Sequence, residues 1–441
     1  MLFENQDVTV VDLTHGGIPL ALHIAQFARS VTCIDVYGTV DSEVLTGLEI
    51  NGIEISRTIQ SDADLIVAPV HLAPDLLPES NNNEIMTHHR AVGEILLNTD
   101  MGAKVIEITG TGAKTSTATL LADMMSRQMS VISHTSRGVE QWQNGAPEMV
   151  HHGLSIAPGS ILEALEYTRG INPDLYIFEI SLGGTGAADL GIITSLDNEY
   201  TIAGGHRSSS EAKKQMVDYA KQGSTLLINA NAGEMDLSNN IRSVTFSDTS
   251  KDAEFSIDNS QNVWTICCGN QTFRFTPNTG YDPNAYTTAI VCATAAAALM
   301  GMSPETIELA LSEFQGVNGR MQVRKHSGRI MLDNSNSGMN PASLEHALEY
   351  SRNISENNSK RVYILGEEKE QVCEGLNPEA VNTFVRKNSR ELDNIILVGE
   401  RMHAITGDNI QHANNLKDAI VIAESLTLEN DMIISCVKCF R

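Results

Sequence analysis

The amino-acid sequence predicts an α/β protein in which mostly parallel sheets are covered by helices. Short β-branched runs alternate with stretches of helical periodicity along the whole chain, an alternation typical of parallel sheets. At residues 105–119 a glycine-containing turn joins such a run to a helix in the order found in phosphate-binding loops. The length of 441 residues exceeds what one hydrophobic core normally serves, so we expect two to four domains.

The first segment, up to about Asp100, is expected to form a small Rossmann-like domain. Residues 8–13 predict a strand, residues 18–28 a helix and residues 31–35 a second strand, while residues 64–70 add a later parallel strand. The segment lacks the Gly-x-Gly-x-x-Gly fingerprint, which argues against a nicotinamide cofactor. The turn His15-Gly16-Gly17 follows the first strand, where open α/β sheets bind ligands, and we predict that it contacts a second substrate.

The stretch at residues 105–119 predicts an ATP site. The turn directs backbone N–H groups and the positive end of the following helix toward one point. We expect Lys114 to reach the outer phosphates and the Thr115 hydroxyl to bind Mg²⁺, although Ala113 stands where such a loop normally has glycine. The alternative is an ordinary strand-to-helix turn with a solvated lysine. The residues predicted to hold the nucleotide here are Thr109, Gly110, Thr111, Gly112, Ala113, Lys114, Thr115 and Ser116.

The remaining elements continue the pattern. Strands are predicted at 175–180, 190–194 and 224–229, an antiparallel hairpin on the sheet edge within 255–275, and a buried alanine-rich helix at 289–302. The glycine pair in residues 315–319 is the best candidate linker. A third α/β unit is predicted from strands at 329–333, 361–365, 394–398 and 431–435.

Composition excludes several functional classes. The formal net charge of −25 argues against a nucleic-acid sheath, because phosphate backbones are bound by basic surfaces. No basic region precedes an apolar one at the N-terminus, and no apolar run is long enough to span a bilayer, so we expect a cytoplasmic protein without a membrane segment. The seven cysteines are scattered and odd in number, which favours reduced thiols.

Polar residues at the predicted strand ends follow the order of the Mur ligase family, which the chain resembles. The family's loop Thr-Gly-Thr-x-Gly-Lys-Thr is matched at residues 109–115 apart from Ala113. The resemblance implies a Rossmann-like substrate-binding domain at 1–100, a P-loop ATP-binding domain at 101–318, and a C-terminal α/β domain at 319–441 that closes over the nucleotide. It also implies a ligase that uses ATP and Mg²⁺ to activate a substrate carboxylate as an acyl phosphate, with ADP and phosphate as products.

The same resemblance assigns metal ligands and a special lysine. Glu179 stands where the family has a Mg²⁺-binding glutamate, and Asn198 where it has a histidine that binds a second Mg²⁺. With Thr115, these two are the predicted metal ligands. Lys213 resembles the lysine that many members carbamylate to bridge the metal ions; the alternative is a solvated lysine on an exposed helix.

Toward the C-terminus the resemblance assigns three nucleotide contacts. Asn284 corresponds to the asparagine that meets the adenine, although it is also a candidate helix N-cap. Arg320 corresponds to a phosphate-binding arginine and Asp333 to a ribose-binding aspartate. The predicted catalytic residues are Lys114, Glu179, Lys213 and Arg320.

The opening segment resembles a branch of the family found in methanogens. This implies that the substrate is a nickel-containing tetrapyrrole with several carboxylates, and that an intramolecular carbon–carbon bond closes its last carbocyclic ring. The predicted substrate contacts are His15, Gly16, Gly17, His88 and Arg90, with His71 and His89 as further candidates. Two alternatives stay open: a pseudomurein-type amino-acid ligase and a non-catalytic nucleotide-binding homologue.

Overall fold

The computed structural model describes residues 1–59, 63–77, 84–197, 199–233, 235–237, 240–355, 359–368 and 375–439. Within these ranges helices cover three larger sheets, most of whose strands are parallel, and the predicted α/β class is confirmed. The chain divides into two compact units, Met1–Phe275 with Thr288–Ala310 and Thr276–Thr287 with Leu311–Arg441. The three domain bounds implied by the family resemblance stay a prediction.

The first sheet has five parallel strands in the order β3-β2-β1-β4-β5. Its strands are β1 Asp7–Val11, β2 Ser30–Ile34, β3 Glu54–Ser56, β4 Leu65–Ala68 and β5 Glu84–Thr87, and its helices are α1 Gly17–Ile24, α2 Ser42–Ile50 and α3 His88–Leu97. Strands β2 and β3 lie on one side of the central strand β1. Strands β4 and β5, which come later in the chain, lie on its other side. The carboxyl ends of β1 and β4 therefore form a topological switch point, where open α/β sheets bind ligands.

The second sheet has eleven strands, with a parallel centre and antiparallel ends. Its order is β18-β17-β16-β15-β14-β11-β6-β10-β7-β8-β9. The strands of this region are β6 Lys104–Thr109, β7 Val131–Thr135, β8 Gly138–Gln143, β9 Ala146–His152, β10 Leu175–Glu179, β11 Leu190–Ile193, β12 Thr201–Ile202, β13 Arg207–Ser208, β14 Thr225–Asn229, β15 Arg242–Ser247, β16 Phe255–Asp258, β17 Trp264–Cys268 and β18 Gln271–Phe275, of which β12 and β13 form a separate ribbon.

The helices of this region are α4 Lys114–Ser126, α5 Ser160–Tyr167, α6 Ser209–Lys213, α7 Gln215–Asp218, α8 Thr287–Leu299 and α9 Pro304–Glu313. The predicted antiparallel hairpin at one edge is confirmed by the pairing of β16, β17 and β18. The antiparallel ribbon of β7, β8 and β9 at the opposite edge was not predicted. The alanine-rich helix α8 is buried along most of its length, as expected.

The third sheet contains the four predicted C-terminal strands and two more. Its strands are β19 Gln322–His326, β20 Arg329–Asp333, β21 Arg361–Glu367, β22 Asn394–Val398, β23 Ile410–Ala413 and β24 Met432–Lys438, in the order β19-β20-β24-β21-β22-β23, and its helices are α10 Pro341–Ile354, α11 Pro378–Asn388 and α12 Leu416–Leu426. The short edge strands β19 and β23 were not predicted. Helix α10 begins where the sequence favours a start, because Asn340 caps it and Pro341 occupies its first position.

In the part of the chain that the structure describes, no helix is long and apolar enough to cross a membrane. The six cysteines described there form no disulfide with one another. The predicted linker at residues 315–319 lies within the second compact unit.

Candidate active site

The predicted phosphate loop joins β6 to α4 as the sequence indicated. Lys114 is the first residue of α4, and its Nζ donates a hydrogen bond to the carbonyl of Gly110 at 3.0 Å. Ala113 precedes it in the left-handed conformation, with φ 60° and ψ −2°. The loop thus adopts a backbone conformation that normally favours glycine, even though its last position carries a methyl group.

Residues after the neighbouring strand β11 lock this loop in place. The Thr194 hydroxyl donates to the Gly112 carbonyl at 2.6 Å, and the Thr111 N–H donates to the Ser195 carbonyl at 2.9 Å. Gly110 has φ +150°, and a Cβ atom there would lie only 2.1 Å from the Thr194 hydroxyl oxygen. The loop is therefore held between its own glycine and the end of β11.

Glu179 ends β10, next to β6 in the sheet, and its carboxylate faces the start of α4. It is only 2% exposed, so it is not the solvated acid that ends many strands. Oε2 accepts the Thr115 hydroxyl at 2.8 Å and the Ser136 N–H at 3.2 Å, and Oε1 lies 3.9 Å from Lys114 Nζ. This is a set of hard oxygen donors beside the loop lysine, and it suits Mg²⁺.

Lys213 lies at the end of the short helix α6 and is 1% exposed. Its Nζ donates to the Ser209 carbonyl at 3.3 Å and lies 5.1 Å from the centroid of the Tyr200 ring. Burial and, to a smaller extent, the charge of Lys114 together lower the pKa of Lys213 to about 7. Lys213 is therefore not a solvated lysine, which was the alternative left open by the sequence. Carbamylation of Lys213 stays a prediction.

A second group of ionisable side chains lies at the switch point of the first sheet. Asp12 is fully buried, and its Oδ2 lies 2.6 Å from His15 Nδ1 and 3.3 Å from His71 Nε2. Burial opposes ionisation of Asp12, but the contacts with the two histidines hold the pKa of its carboxyl well below the usual range. The two imidazoles meet edge to face, with ring centroids 4.8 Å apart.

The other predicted substrate contacts differ in their exposure. His88 is fully buried, and its Nε2 lies 3.0 Å from the carbonyl oxygen of Val11. It therefore supports the end of β1 and offers no surface to a ligand. His89 is also buried and bonds to the Ser181 carbonyl at 2.7 Å. Burial lowers the pKa of each histidine to about 4. Arg90 is partly exposed and pairs with Glu94 at 2.6 Å.

Gly16 and Gly17 form the tight turn that the sequence indicated. Gly16 has φ +85° and packs against the backbone of Gly159, and a Cβ atom on Gly17 would lie 2.1 Å from the Asp12 carbonyl oxygen. Glycine is required at both positions, because one needs a left-handed conformation and the other a close approach of two backbones.

Three predicted nucleotide contacts belong to the second compact unit. Asn284 is exposed in a short 3₁₀ turn whose N-cap is Asp282, so Asn284 is not itself the cap. Arg320 is half-buried at the end of the predicted linker. Asp333 ends β20, is fully buried, and accepts the Ser335 N–H at 3.2 Å. The nucleotide roles of these residues stay predictions.

Sequence reasoning missed three residues that shape these sites: Asp12, Ser136 and Thr194. Asp12 was detectable as an acid placed three residues before His15 at a strand end. Ser136 and Thr194 carry no motif, because their roles arise only when strands distant in sequence become neighbours. Asn198, the predicted second metal ligand, lies outside the described residues.

The sequence is similar to that of one known protein over nearly its full length and to that of another over about half of it. It is 43% identical to the coenzyme F(430) synthetase of Methanosarcina acetivorans over 98% of both chains. It is 26% identical to the coenzyme F(430) synthetase of Methanocaldococcus jannaschii over 46% of this chain and 48% of that protein. A family model described as coenzyme F430 synthetase CfbE, C-terminal domain, matches residues 323–439.

The fold is also similar to that of a solved Mur ligase. The MurF ligase from Thermotoga maritima in complex with ADP gives a TM-score of 0.56 with 13% sequence identity, over 93% of this chain and 91% of that chain. At this level of identity the likeness concerns the fold, and it confirms the Mur-ligase-like architecture that the motifs indicated.

Proposed function

The chain belongs to the coenzyme F(430) synthetase family, and on that premise we propose that it is an ATP-dependent ligase that closes the final carbocyclic ring of the nickel tetrapyrrole coenzyme F(430). ATP transfers its γ-phosphoryl group to a side-chain carboxylate of the tetrapyrrole, which gives an acyl phosphate and ADP. A carbon atom of the same molecule then attacks the activated carbonyl and releases phosphate. The observation that carries the proposal is the convergence of Lys114, Thr115 and Glu179 at the phosphate loop of a chain 43% identical to a named synthetase.

The loop residues 109–116 supply the phosphate contacts in this proposal. Backbone N–H groups and the start of α4 face the phosphates, and Lys114 neutralises the charge that develops during transfer. Because Lys114 Nζ already bonds to the Gly110 carbonyl at 3.0 Å, the lysine is held against the loop and needs little reorganisation to meet a phosphate. Thr194 and Ser195 keep the loop in this shape through their bonds to Gly112 and Thr111.

Thr115 and Glu179 would hold Mg²⁺. Their oxygens are 2.8 Å apart, buried and hard, which is the donor chemistry that this ion prefers. A bound Mg²⁺ supplies positive charge to the transferring phosphoryl group. Asn198 is proposed as a further ligand.

Lys213 is proposed to carry a carbamate when the enzyme is active. Its buried amine with a pKa of about 7 is partly neutral at neutral pH, and only a neutral amine attacks CO₂, losing a proton as the carbamate forms. The test is ¹³C NMR of protein equilibrated with ¹³C-bicarbonate. We expect a carbamate signal that Lys213→Arg removes and that Lys214→Arg, a change at the exposed neighbour, retains. A signal that survives Lys213→Arg contradicts the assignment.

Arg320, Asn284 and Asp333 are proposed as nucleotide contacts of the C-terminal part of the chain, within the domain scheme 1–100, 101–318 and 319–441. The proposal is supported by their order along the chain, which resembles that of the Mur ligase family. We expect Arg320→Ala to impair phosphoryl transfer and Asp333→Ala to raise the ATP concentration needed for half-maximal rate.

The acceptor side is proposed to be the turn 15–17 of the first sheet. It lies at the carboxyl end of β1, where α/β sheets bind ligands, and the partly exposed side chains of Arg90 and His15 offer polar groups to the substrate carboxylates. The chain as a whole is strongly acidic, so a polycarboxylate needs local groups of this kind.

The proposed function is tested by anaerobic incubation with ATP, Mg²⁺ and the ring-open nickel precursor. We expect one phosphate released per ring closed, together with the absorption change of the product. Phosphate release only when an amino acid is added would assign the chain to the pseudomurein-type ligases. Tight ATP binding without phosphate release in the presence of any acceptor would identify the protein as a non-catalytic homologue. Either result overturns the proposal.

A further inference from the structure

Three ionisable side chains of the first unit have no role in the phosphate chemistry above. Asp12 follows β1, His15 lies in the next turn, and His71 follows the adjacent strand β4. Their ligand-type atoms all lie within 4.8 Å of one another. The cluster Asp12–His15–His71 therefore occupies the switch point itself, the position at which this sheet type binds its ligands.

The hydrogen bond inside this cluster fixes the tautomer of His15. An ionised carboxylate only accepts hydrogen bonds, so the proton of the 2.6 Å contact between Asp12 Oδ2 and His15 Nδ1 belongs to the imidazole. In neutral His15 the lone pair then resides on Nε2. A buried aspartate orients the histidine base of serine hydrolases in the same way.

His15 is accessible and rigidly held, whereas its partner Asp12 is buried. The His15 side chain is 35% exposed, whereas that of Asp12 is fully buried. The turn that follows His15 folds back onto Asp12, because Gly17 approaches the Asp12 carbonyl so closely that no Cβ atom fits. His88 Nε2 lies 3.0 Å from the carbonyl oxygen of Val11, the residue before Asp12, and so fixes the backbone there. Such packing keeps a catalytic group in one orientation.

The cluster also adjoins the residues around Lys213. Val70, the neighbour of His71, belongs to the same buried apolar cluster as Ala212, the neighbour of Lys213. Besides burial, the charges of His71 and Lys213 both lower the pKa of His89, and the charge of Lys114 acts on Lys213. An electrostatically connected path thus leads from the switch point to the phosphate loop within one compact unit.

We propose that His15, oriented by Asp12 and supported by His71, is the base of the ring-closing step. The inference rests on the proposed function. In this step the attacking carbon forms a bond to the carbonyl carbon of the acyl phosphate, and the bond between that carbonyl carbon and the phosphate oxygen breaks, with its electron pair leaving on phosphate. The attacking carbon loses its proton to Nε2 of His15. Asp12 stabilises the resulting imidazolium and is a positioning residue, as is His71.

The two chemical steps are separated by trapping the acyl phosphate with hydroxylamine, which yields a hydroxamate. In His15→Ala at saturating ring-open precursor, where weaker substrate binding no longer limits the rate, we expect hydroxamate formation within about threefold of the parent, while ring closure falls by about 100-fold or more, the usual loss on removing a general base. Added imidazole should restore part of the ring closure. The control His152→Ala, a change at an exposed histidine at the end of β9, should match the parent in both steps.

A second variant protects the test against a folding defect. Asp12→Asn keeps the shape of the side chain, and in a variant with a parent-like circular dichroism spectrum it should also lower ring closure selectively. Ring closure by His15→Ala at the parent rate would overturn the inference. So would an equal loss of hydroxamate and ring closure at saturating precursor, because that result leaves the cluster no role specific to the ring-closing step.

One further outcome concerns metal binding, since two imidazoles and a carboxylate also suit a transition-metal ion. Ring closure that a chelator abolishes, and that Zn²⁺ restores when Mg²⁺ alone does not, would overturn the base assignment in favour of a metal site. Failure of the proposed function is recognised separately, because the parent itself would then form no hydroxamate that depends on ATP and the precursor.

Discussion

Alanine at Gly110 should disrupt the phosphate loop, whereas alanine at Gly112, two residues later, should be tolerated. Gly110 has φ +150°, and an added Cβ would lie 2.1 Å from the Thr194 hydroxyl oxygen and 3.0 Å from the backbone N of Ser195. At Gly112 the nearest atom to an added Cβ is the Ser195 hydroxyl oxygen at 3.6 Å, an ordinary contact, and the backbone is not left-handed. The two substitutions add the same methyl group to the same loop.

The expected cost at Gly110 has two parts. A backbone conformation that only glycine adopts readily costs an L-residue about 1–3 kcal/mol. Thr194 must also move away, and the hydrogen bond that its single hydroxyl proton shares between the Thr109 and Gly112 carbonyls is lost, at a cost of about 1 kcal/mol. Together these suggest a penalty of about 2–4 kcal/mol, equivalent to a factor of about 30 to 1,000 in ATP affinity if the loop alone bears it.

The assay is isothermal titration with ATP and Mg²⁺, paired with urea unfolding of each variant. Gly110→Ala should weaken ATP binding by the factor above and lower the unfolding free energy by no more than the same penalty. Gly112→Ala should stay within about threefold of the parent, equivalent to less than 1 kcal/mol. Equal effects of the two substitutions, or a Gly110→Ala variant that binds ATP like the parent, would refute the placement of the nucleotide at this loop.

Further predictions concern the charged groups around the loop. Lys114→Ala should abolish acyl-phosphate formation, measured as hydroxamate, and leave tetrapyrrole binding largely intact; Lys104→Ala, a change at an exposed lysine of β6, is the control. Glu179→Gln should raise the Mg²⁺ concentration for half-maximal rate by about tenfold or more, since it removes the charge that holds the ion, and an unchanged Mg²⁺ requirement would count against this ligand. The pKa of Lys213 is about 7 in the folded chain and ordinarily 10.5. At pH values between these two, Lys213 is protonated in the unfolded chain and mostly neutral in the folded chain. The unfolding free energy should therefore rise with pH across this window, and in CO₂-free buffer Lys213→Met should flatten the rise while Lys214→Met should not.

The parts of the fold that the sequence predicted are those whose signal is local. The central strands β1, β6 and β10 are apolar runs bounded by polar turns, and the loop before α4 carries its glycines and lysine in one stretch. The edge strands β19 and β23 escaped prediction because they are only partly buried and carry polar residues, so they lack an apolar run.

Lys213 shows why exposure could not be predicted from the local sequence. Its neighbours Glu211 and Lys214 are exposed, and such a pattern normally indicates a solvated helix face. The helix is only five residues long, so burial of one side chain depends on what packs above it. The hydrogen bond to Ser209 lies within the helix itself, whereas the ring of Tyr200 comes from outside the helix, and only the folded chain brings it over the lysine.

The two chemical centres of the first unit follow one structural rule. Glu179 ends a central parallel strand and bonds to Thr115 beside the adjacent strand β6, and Asp12 follows a central parallel strand and contacts His71 beyond the adjacent strand β4. A carboxylate removed from water must be compensated by such partners, so it holds them firmly. The proposed ATP site could be recognised from the sequence because its lysine and threonine directly follow the glycines of the loop. The proposed acceptor site could be found only from the fold, because Asp12 and His71 follow different strands. Substitutions there should change substrate chemistry before they change nucleotide binding.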